Sequence, residues 1–272
     1  MDITNLKLED LKENLRNIKS GVIAFSGGVD STFLLKVAHD ILEDKIIAVT
    51  AASSTYPKRE LEEAKKYAKS IGVRHLIIES EELDIKGYKE NSVDRCYYCK
   101  KELFSKLKKI AEENNATYVL DGANLDDTGD FRPGMKAAKE LGILSPLKEA
   151  ELTKEDIRNL SKRMGLPTWN KPSFACLSSR FPYGNEINSQ KLKMVEDAEQ
   201  FLLDLGFKQI RVRHHNEIAR IEVAPEERAK FFNVDLMNKV GQKLKEIGFT
   251  YVTLDLLGYK TGSMNAVLKD AK

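Results

Sequence analysis

The chain has 272 residues, enough for one large domain or two modest ones. Lys plus Arg number 44 and Asp plus Glu 42, so the net charge of +2 argues against a protein whose work is to coat nucleic acid. No apolar run is long enough to span a bilayer, no cationic-then-apolar leader opens the chain, and three cysteines do not make a disulfide scaffold, so a cytoplasmic protein in a reducing compartment is expected.

Leu8, Leu11, Leu15 and Ile18 fall at helical spacing and predict a helix over residues 5–19. The run Val22 to Phe25 predicts a buried strand, Ser26 to Ser31 a tight glycine turn, and Phe33, Leu34, Val37 and Ala38 the apolar face of the next helix. Strands at 46–50, 73–78 and 117–121 then alternate with helical patterns at 57–71, 97–114 and 153–164. That alternation predicts an α/β, Rossmann-like domain with a parallel sheet covered by helices on both faces. Ligands of such sheets sit at the carboxyl ends of the strands, the rim where Phe25, Thr50 and Asp121 fall. Pro167, Pro172 and Pro182 break the pattern from Gly165 to Gly184, a loop of roughly twenty residues that is long enough to be functional. A helix at 189–205, strands at 208–213 and 217–223, a helix near 235–247 and a strand at 250–256 predict a small α+β unit. The expected division is an ATP-binding domain over 1–166, an active-site loop over 167–186 carrying Cys176, and a substrate-binding or oligomerisation domain over 187–272.

The turn Ser26-Gly27-Gly28-Val29-Asp30-Ser31 carries the most chemistry. Glycines allow positive φ and a close approach to an anion, and the first amides of the following helix are donors at the positive end of its dipole. The hydroxyls of Ser26, Ser31 and Thr32 add further donors. Two glycines can also simply solve a packing problem, and the turn is neither G-x-x-x-x-G-K-[ST] nor G-x-G-x-x-G. The whole hexapeptide, however, resembles the PP-loop of ATP pyrophosphatases, which cleave ATP between its α and β phosphates. Asp30 suits a pyrophosphate only with Mg²⁺ between them, so ATP with magnesium is the expected ligand.

Cys96 and Cys99 form a C-x-x-C at a helix start, and Cys176 lies in the proline-bounded loop. Four readings compete: a redox dithiol, a zinc site short of a fourth ligand, inert buried thiols, and an iron–sulfur cluster. The cluster gains weight beside a PP-loop, because several PP-loop enzymes move sulfur with three cysteines. Three thiolates on a cubane leave one iron open to an exogenous sulfur.

Beyond the PP-loop, the chain resembles the LarE family of ATP-dependent sulfurtransferases over about residues 5–266. The matching stretches are Phe25 to Ser31, Asp121 to Asp127 and Asp130 to Gly134. Lys171-Pro172 and Ala175 to Gly184 match as well, as do Arg211 to His214, Ala219 to Glu222 and Gly258 to Asn265. The resemblance implies adenylation of a carboxylate on a pyridinium dicarboxylate mononucleotide, release of pyrophosphate, and displacement of AMP by sulfur to leave a thiocarboxylate. Single-cysteine members sacrifice that cysteine and keep dehydroalanine. This chain adds Cys96 and Cys99 and so resembles the three-cysteine branch, in which a [4Fe-4S] cluster carries an extra sulfide and Cys176 survives as a ligand. Lys260 stands where an arginine is common, and lysine does not give the bidentate grip on phosphate. The resemblance also suggests a homo-oligomer, with a hexamer as one form it could take, supplied by sulfide or another sulfur donor.

In this frame Phe25, Ser26, Gly27, Gly28, Asp30, Ser31, Thr50, Asp121, Gly122, Asn124 and Asp126 are the expected nucleotide residues. Arg211 and Arg213 alternate on a strand and share a face; with Ser179 and Arg180 they suit the substrate's phosphate, though arginines on an edge strand are often only solubilising. Glu199 and Glu222 are candidates for a divalent ion, against the reading that surface glutamates are solvated. Trp169, His214 and His215 receive no role. Two alternatives stay open: a cluster-dependent tRNA thiolase, which the low charge disfavours, and a PP-loop adenylating ligase or amidotransferase with structural cysteines.

Overall fold

The computed structural model describes residues 2–80, 82–129, 133–173, 176–260 and 262–265. Of the stretches that carry the family resemblance, Asp130, Phe131, Arg132, Ala175 and Thr261 therefore lie outside the described residues.

The chain divides into two compact units, one of Met1–Tyr88 with Asp94–Phe174, the other of Lys89–Val93 with Ala175–Lys272. The first runs α1 (Ile3–Ile18), β1 (Gly21–Ala24), α2 (Val29–Leu42), β2 (Ile46–Ala52), α3 (Lys58–Ile71), β3 (Arg74–Glu79), a single turn α4 (Lys86–Lys89), α5 (Arg95–Glu113), β4 (Tyr118–Leu120), α6 (Pro133–Glu140), α7 (Pro146–Glu149) and α8 (Lys154–Arg163). Its four strands are all parallel in the order β3-β2-β1-β4, with Gly21 of β1 level with Ile46 on one side and Tyr118 on the other. Both faces are apolar because both are covered. Val22, Ile47, Val49 and Val119 pack with Phe104 and Leu107 of α5, while Ile23, Ala48 and Leu120 pack with Leu15, Phe33, Leu34, Leu147 and Ile157. The chain leaves β1 for β2 on one side and β4 lies on the other, so the sheet's switch point falls at the end of β1. There the turn 25–28 and the segment after β4 come together.

The second unit comprises α9 (Ser189–Asp204), β5 (Ile210–His215), β6 (Ile218–Val223), α10 (Val234–Ile247) and β7 (Tyr251–Leu254). Its sheet is mixed: β5 pairs antiparallel with β6, and β6 pairs parallel with β7. Alternation sorts the two faces. Ile210, Val212, Ala219, Ile221 and Val223 meet Ala198 and Leu202 of α9 and Val240 and Leu244 of α10. Arg211, Arg213, Arg220 and Glu222 occupy the opposite face, where an ionic layer replaces an apolar one. The segment Lys89–Val93 is held in this unit by Gly184 N–H donating to Asn91 O at 3.0 Å and by the Asn91 amide donating to Pro182 O at 2.6 Å.

Candidate active site

In the first unit, β1 ends at Ala24 and α2 begins at Val29, with Gly28 as its N-cap and no side chain capping its amides. Gly27 takes φ 60°, and a Cβ there would stand 3.1 Å from Ala64 of α3, so only glycine fits both the conformation and the space. Gly122 is equally confined, since a Cβ would stand 3.1 Å from Ser31 N. Ser26 and Ser31 hydroxyls lie 3.1 Å apart, and the buried Thr32 hydroxyl has no protein partner. Two glycines at a helix N-terminus with an orphaned hydroxyl make a cradle suited to phosphate.

Asp30 is flanked by Lys154 Nζ at 2.5 Å and accepts from the Asn124 amide at 3.3 Å. The rest of the rim is internally bonded. Asp121 Oδ1 accepts from the Ser145 hydroxyl at 2.8 Å and from Ala123 N–H at 3.2 Å. Asp126 accepts from Lys154 N–H at 2.8 Å, a capping contact at the start of α8. The Thr50 hydroxyl donates to Phe25 O at 2.6 Å, which makes His75 Nε2, 2.8 Å away, the donor to Thr50 Oγ1. Burial lowers the pKa of His75, Lys65 lowers it further, and the ring stands edge-on to Phe25. Nothing in the sequence linked His75 or Lys154 to this rim, because their partners are distant in the chain.

Cys96 and Cys99 sit three residues apart in the first turn of α5, hence on one helical face. Cys96 is exposed, Cys99 is half-buried, and the Cys99 thiol lies 3.7 Å from Glu82 Oε1. In the second unit Cys176 is exposed and N-caps a short 3₁₀ turn, Leu177–Arg180. Thiolates are the ligands iron–sulfur clusters take, so the donor chemistry fits. Among the described residues, no three His, Cys, Asp or Glu are grouped closely enough to hold a metal ion.

The second unit's candidates form a buried ionic network. Arg180 is 0% exposed, Glu199 1%, Arg211 2%, Arg213 4% and Glu222 0%, so none is a solvated surface charge. Arg180 grips Glu199 through two bonds of 2.8 Å and donates to Cys176 O at 3.2 Å, bracing the cysteine's backbone. Glu199 also accepts from Val212 N–H of the edge strand β5 at 3.0 Å. Burial alone would lower the Arg180 pKa and raise that of Glu199; their mutual attraction reverses both, holding Arg180 above and Glu199 below its ordinary value. Arg213 bonds Glu222 at 2.7 Å, Ser179 O at 3.1 Å and the Ser263 hydroxyl at 3.2 Å, while its Nε has no partner. Arg220 spans Glu222 at 3.2 Å and Asp255 at 2.8 Å. Both carboxylate oxygens of Glu199 and of Glu222 thus face arginines. Arg211 lies 4.9 Å above the Tyr259 ring, and burial with the neighbouring Arg180 pulls its pKa down to about 10. Among the described residues, the guanidiniums of Arg180, Arg211, Arg213 and Arg220 share this layer with the carboxylates of Glu199, Glu222 and Asp255. His214 packs between Phe181 and Phe249 at 5.1 and 5.5 Å, and Trp169 lies under Lys162.

No helix among the described residues is long and apolar enough to cross a membrane. The Arginosuccinate synthase N-terminal HUP domain family matches residues 20–167, the stretch holding β1–β4 and the glycine cradle. An uncharacterized protein of Synechocystis sp. is 44% identical over 262 residues, covering 96% of this chain and 98% of that one. The pyridinium-3,5-bisthiocarboxylic acid mononucleotide synthase of Lactiplantibacillus plantarum is 41% identical over 259 residues, covering 95% of this chain and 93% of its own length. At a greater distance, a subunit of the glutamine-hydrolyzing GMP synthase of Archaeoglobus fulgidus is 26% identical over 225 residues, 74% of this chain and 71% of that one. The glycine cradle at the switch point agrees with the domain match over 20–167 and the two matches that cover 95% or more of the chain: the chain belongs to the LarE family of ATP-dependent sulfurtransferases, built on a PP-loop ATP-binding domain.

Proposed function

We propose that the protein adenylates a carboxylate of a pyridinium dicarboxylate mononucleotide and converts it to a thiocarboxylate. The observation that carries this reading is the coexistence, in one chain, of the uncapped glycine cradle and a layer of buried arginines. A carboxylate is a poor electrophile, and making AMP its leaving group supplies the missing reactivity. The amides of 27–31 and the hydroxyls of Ser26, Ser31 and Thr32 stabilise the charge that develops on the departing pyrophosphate. Asp30 would hold Mg²⁺ once Lys154 yields it, and the loop after β4 (Asp121, Gly122, Asn124) lines the nucleotide beside Phe25 and Thr50. Arg211 and Arg213, with Ser179, hold the mononucleotide's phosphate. Arg180 positions Cys176 and that phosphate site through Glu199.

Cys96, Cys99 and Cys176 would hold a [4Fe-4S] cluster, which when bound supplies sulfide as the group that displaces AMP. In this reading Cys176 survives turnover. Helix α10 and the segments beside it leave Phe232, Val234 and Met237 in solvent, and Leu256 and Leu257 after β7 are exposed too, which suits a homo-oligomer. The distant likeness to a GMP synthase subunit favours, as second reading, an adenylating ligase with structural thiols.

Pyrophosphate release decides among substrates. Stimulation by the pyridinium dicarboxylate mononucleotide is expected; stimulation by unmodified tRNA alone would overturn the assignment.

A further inference from the structure

The two carbonyls of the glycine turn are each pinned from behind by a side chain that has no assigned role. The Tyr56 hydroxyl donates to Ser26 O at 2.7 Å, and Lys171 Nζ donates to Gly27 O at 3.1 Å. Peptides are planar and trans, so the N–H of each unit points opposite its carbonyl. Fixing Ser26 O therefore fixes the direction of Gly27 N–H, and fixing Gly27 O fixes that of Gly28 N–H. Among the described residues no protein acceptor meets either of these amides. Two orphan donors, each with its direction fixed, beside a helix N-terminus are the ingredients of an anion nest.

Lys171 is placed for this by more than the carbonyl. Its side chain is 9% exposed, and its ammonium also bonds Glu60 at 2.8 Å and Glu63 at 2.6 Å, so its three N–H donors have three acceptors. Burial alone would lower its pKa; the two carboxylates more than reverse this, and the group stays charged. The cation also cancels much of the negative field that Glu60 and Glu63 would cast on a nearby phosphate. Tyr56 stays a donor for a related reason, since burial, Glu60 and Glu63 all raise its pKa.

We infer that Tyr56 and Lys171 are positioning residues for the pyrophosphate portion of ATP, acting by orienting the Gly27 and Gly28 amides and not by touching the nucleotide. This rests on the reading of the turn as the ATP site. The test measures binding of Mg²⁺-pyrophosphate, ATP and adenosine to the whole protein by calorimetry, for wild type, Y56F, K171M and K171R. Y56F removes one hydroxyl and no charge, so it stands even if K171M fails to fold. Y56F should weaken pyrophosphate and ATP binding about 3- to 10-fold, the worth of one hydrogen bond, with adenosine unchanged. K171M should weaken them further, because Glu60 and Glu63 lose their counter-charge, and K171R should recover part of the loss. Unchanged pyrophosphate binding in Y56F, or an equal loss for adenosine, would overturn the inference. Wild-type protein that binds neither ATP nor pyrophosphate would instead overturn the ATP reading beneath it.

Discussion

Arg180 and Glu199 show how far a single pair can decide the behaviour of this chain. Both are essentially without solvent, their bond is bidentate, and Arg180 reaches on to Cys176 O. Removing one partner of such a pair leaves a buried charge without compensation, at a cost of about 3–5 kcal/mol. Glu199→Gln should therefore destabilise the second unit by that amount in urea unfolding; a change under about 1 kcal/mol would mean the pair is dispensable. The pH dependence follows from the same geometry. Glu199 is held below its ordinary value, so its contribution is complete above the ordinary carboxylate range and is lost as acid protonates it. Stability of E199Q should consequently vary less with pH through the acid range than that of the wild type. The arginines and glutamates were visible in the sequence, but their pairing was not: Arg180–Glu199 joins the 3₁₀ turn Leu177–Arg180 to α9 and Arg213–Glu222 joins β5 to β6, and no local pattern encodes that.

At the scale of elements, helix α8 is anchored by its first turn. Thr153 and Asp156 form a reciprocal capping box, and Asp156 also takes Lys7 at 2.9 Å and the Thr4 hydroxyl at 2.9 Å from α1. Burial would raise the Asp156 pKa, but those bonds lower it from 3.8 to about 2. The lowered value means the cap is fully formed above pH 3.8 and melts as pH falls toward 2. Asp156→Asn should cost about 1–2 kcal/mol at pH 7 and remove that acid transition, read by circular dichroism. Elements of this kind were legible where a segment is long and periodic: α1, α2, α5, α8 and α9 lie within a few residues of their sequence expectation. The turns α4 and α7 and the eight-residue α6 were not, since a helix of one or two turns buries too few residues to print a period. The glycine cradle was legible because six consecutive residues build it. Lys171 was visible as part of a matching stretch, but the contacts of Tyr56 and Lys171 with the turn were not, because backbone carbonyls leave no trace in the side-chain pattern.

For the whole molecule, the proposed reaction has an activating half, the glycine cradle at the end of β1, and a proposed delivering half, the three thiols. Each half has its own signature. Cys96→Ser, Cys99→Ser and Cys176→Ser should each abolish stable iron and labile sulfide after anaerobic reconstitution while leaving pyrophosphate binding within about 2-fold of wild type, since none of the three belongs to the glycine turn 26–31. Iron retained at wild-type stoichiometry in any of the three would remove that cysteine from the ligand set. Gly27→Ala should do the reverse, keeping iron and losing pyrophosphate binding, since the Cβ meets Ala64 and the positive φ is lost.

The most direct test of sulfur transfer is mass spectrometry of both product and protein after turnover. The reconstituted protein is given ATP, Mg²⁺, sulfide and the pyridinium dicarboxylate mononucleotide without oxygen. The expected outcome is a product in which a carboxylate oxygen has been replaced by sulfur, together with AMP and pyrophosphate, and a protein whose Cys176 is intact. Dehydroalanine at position 176, or pyrophosphate formed with no sulfur in the product, would contradict it.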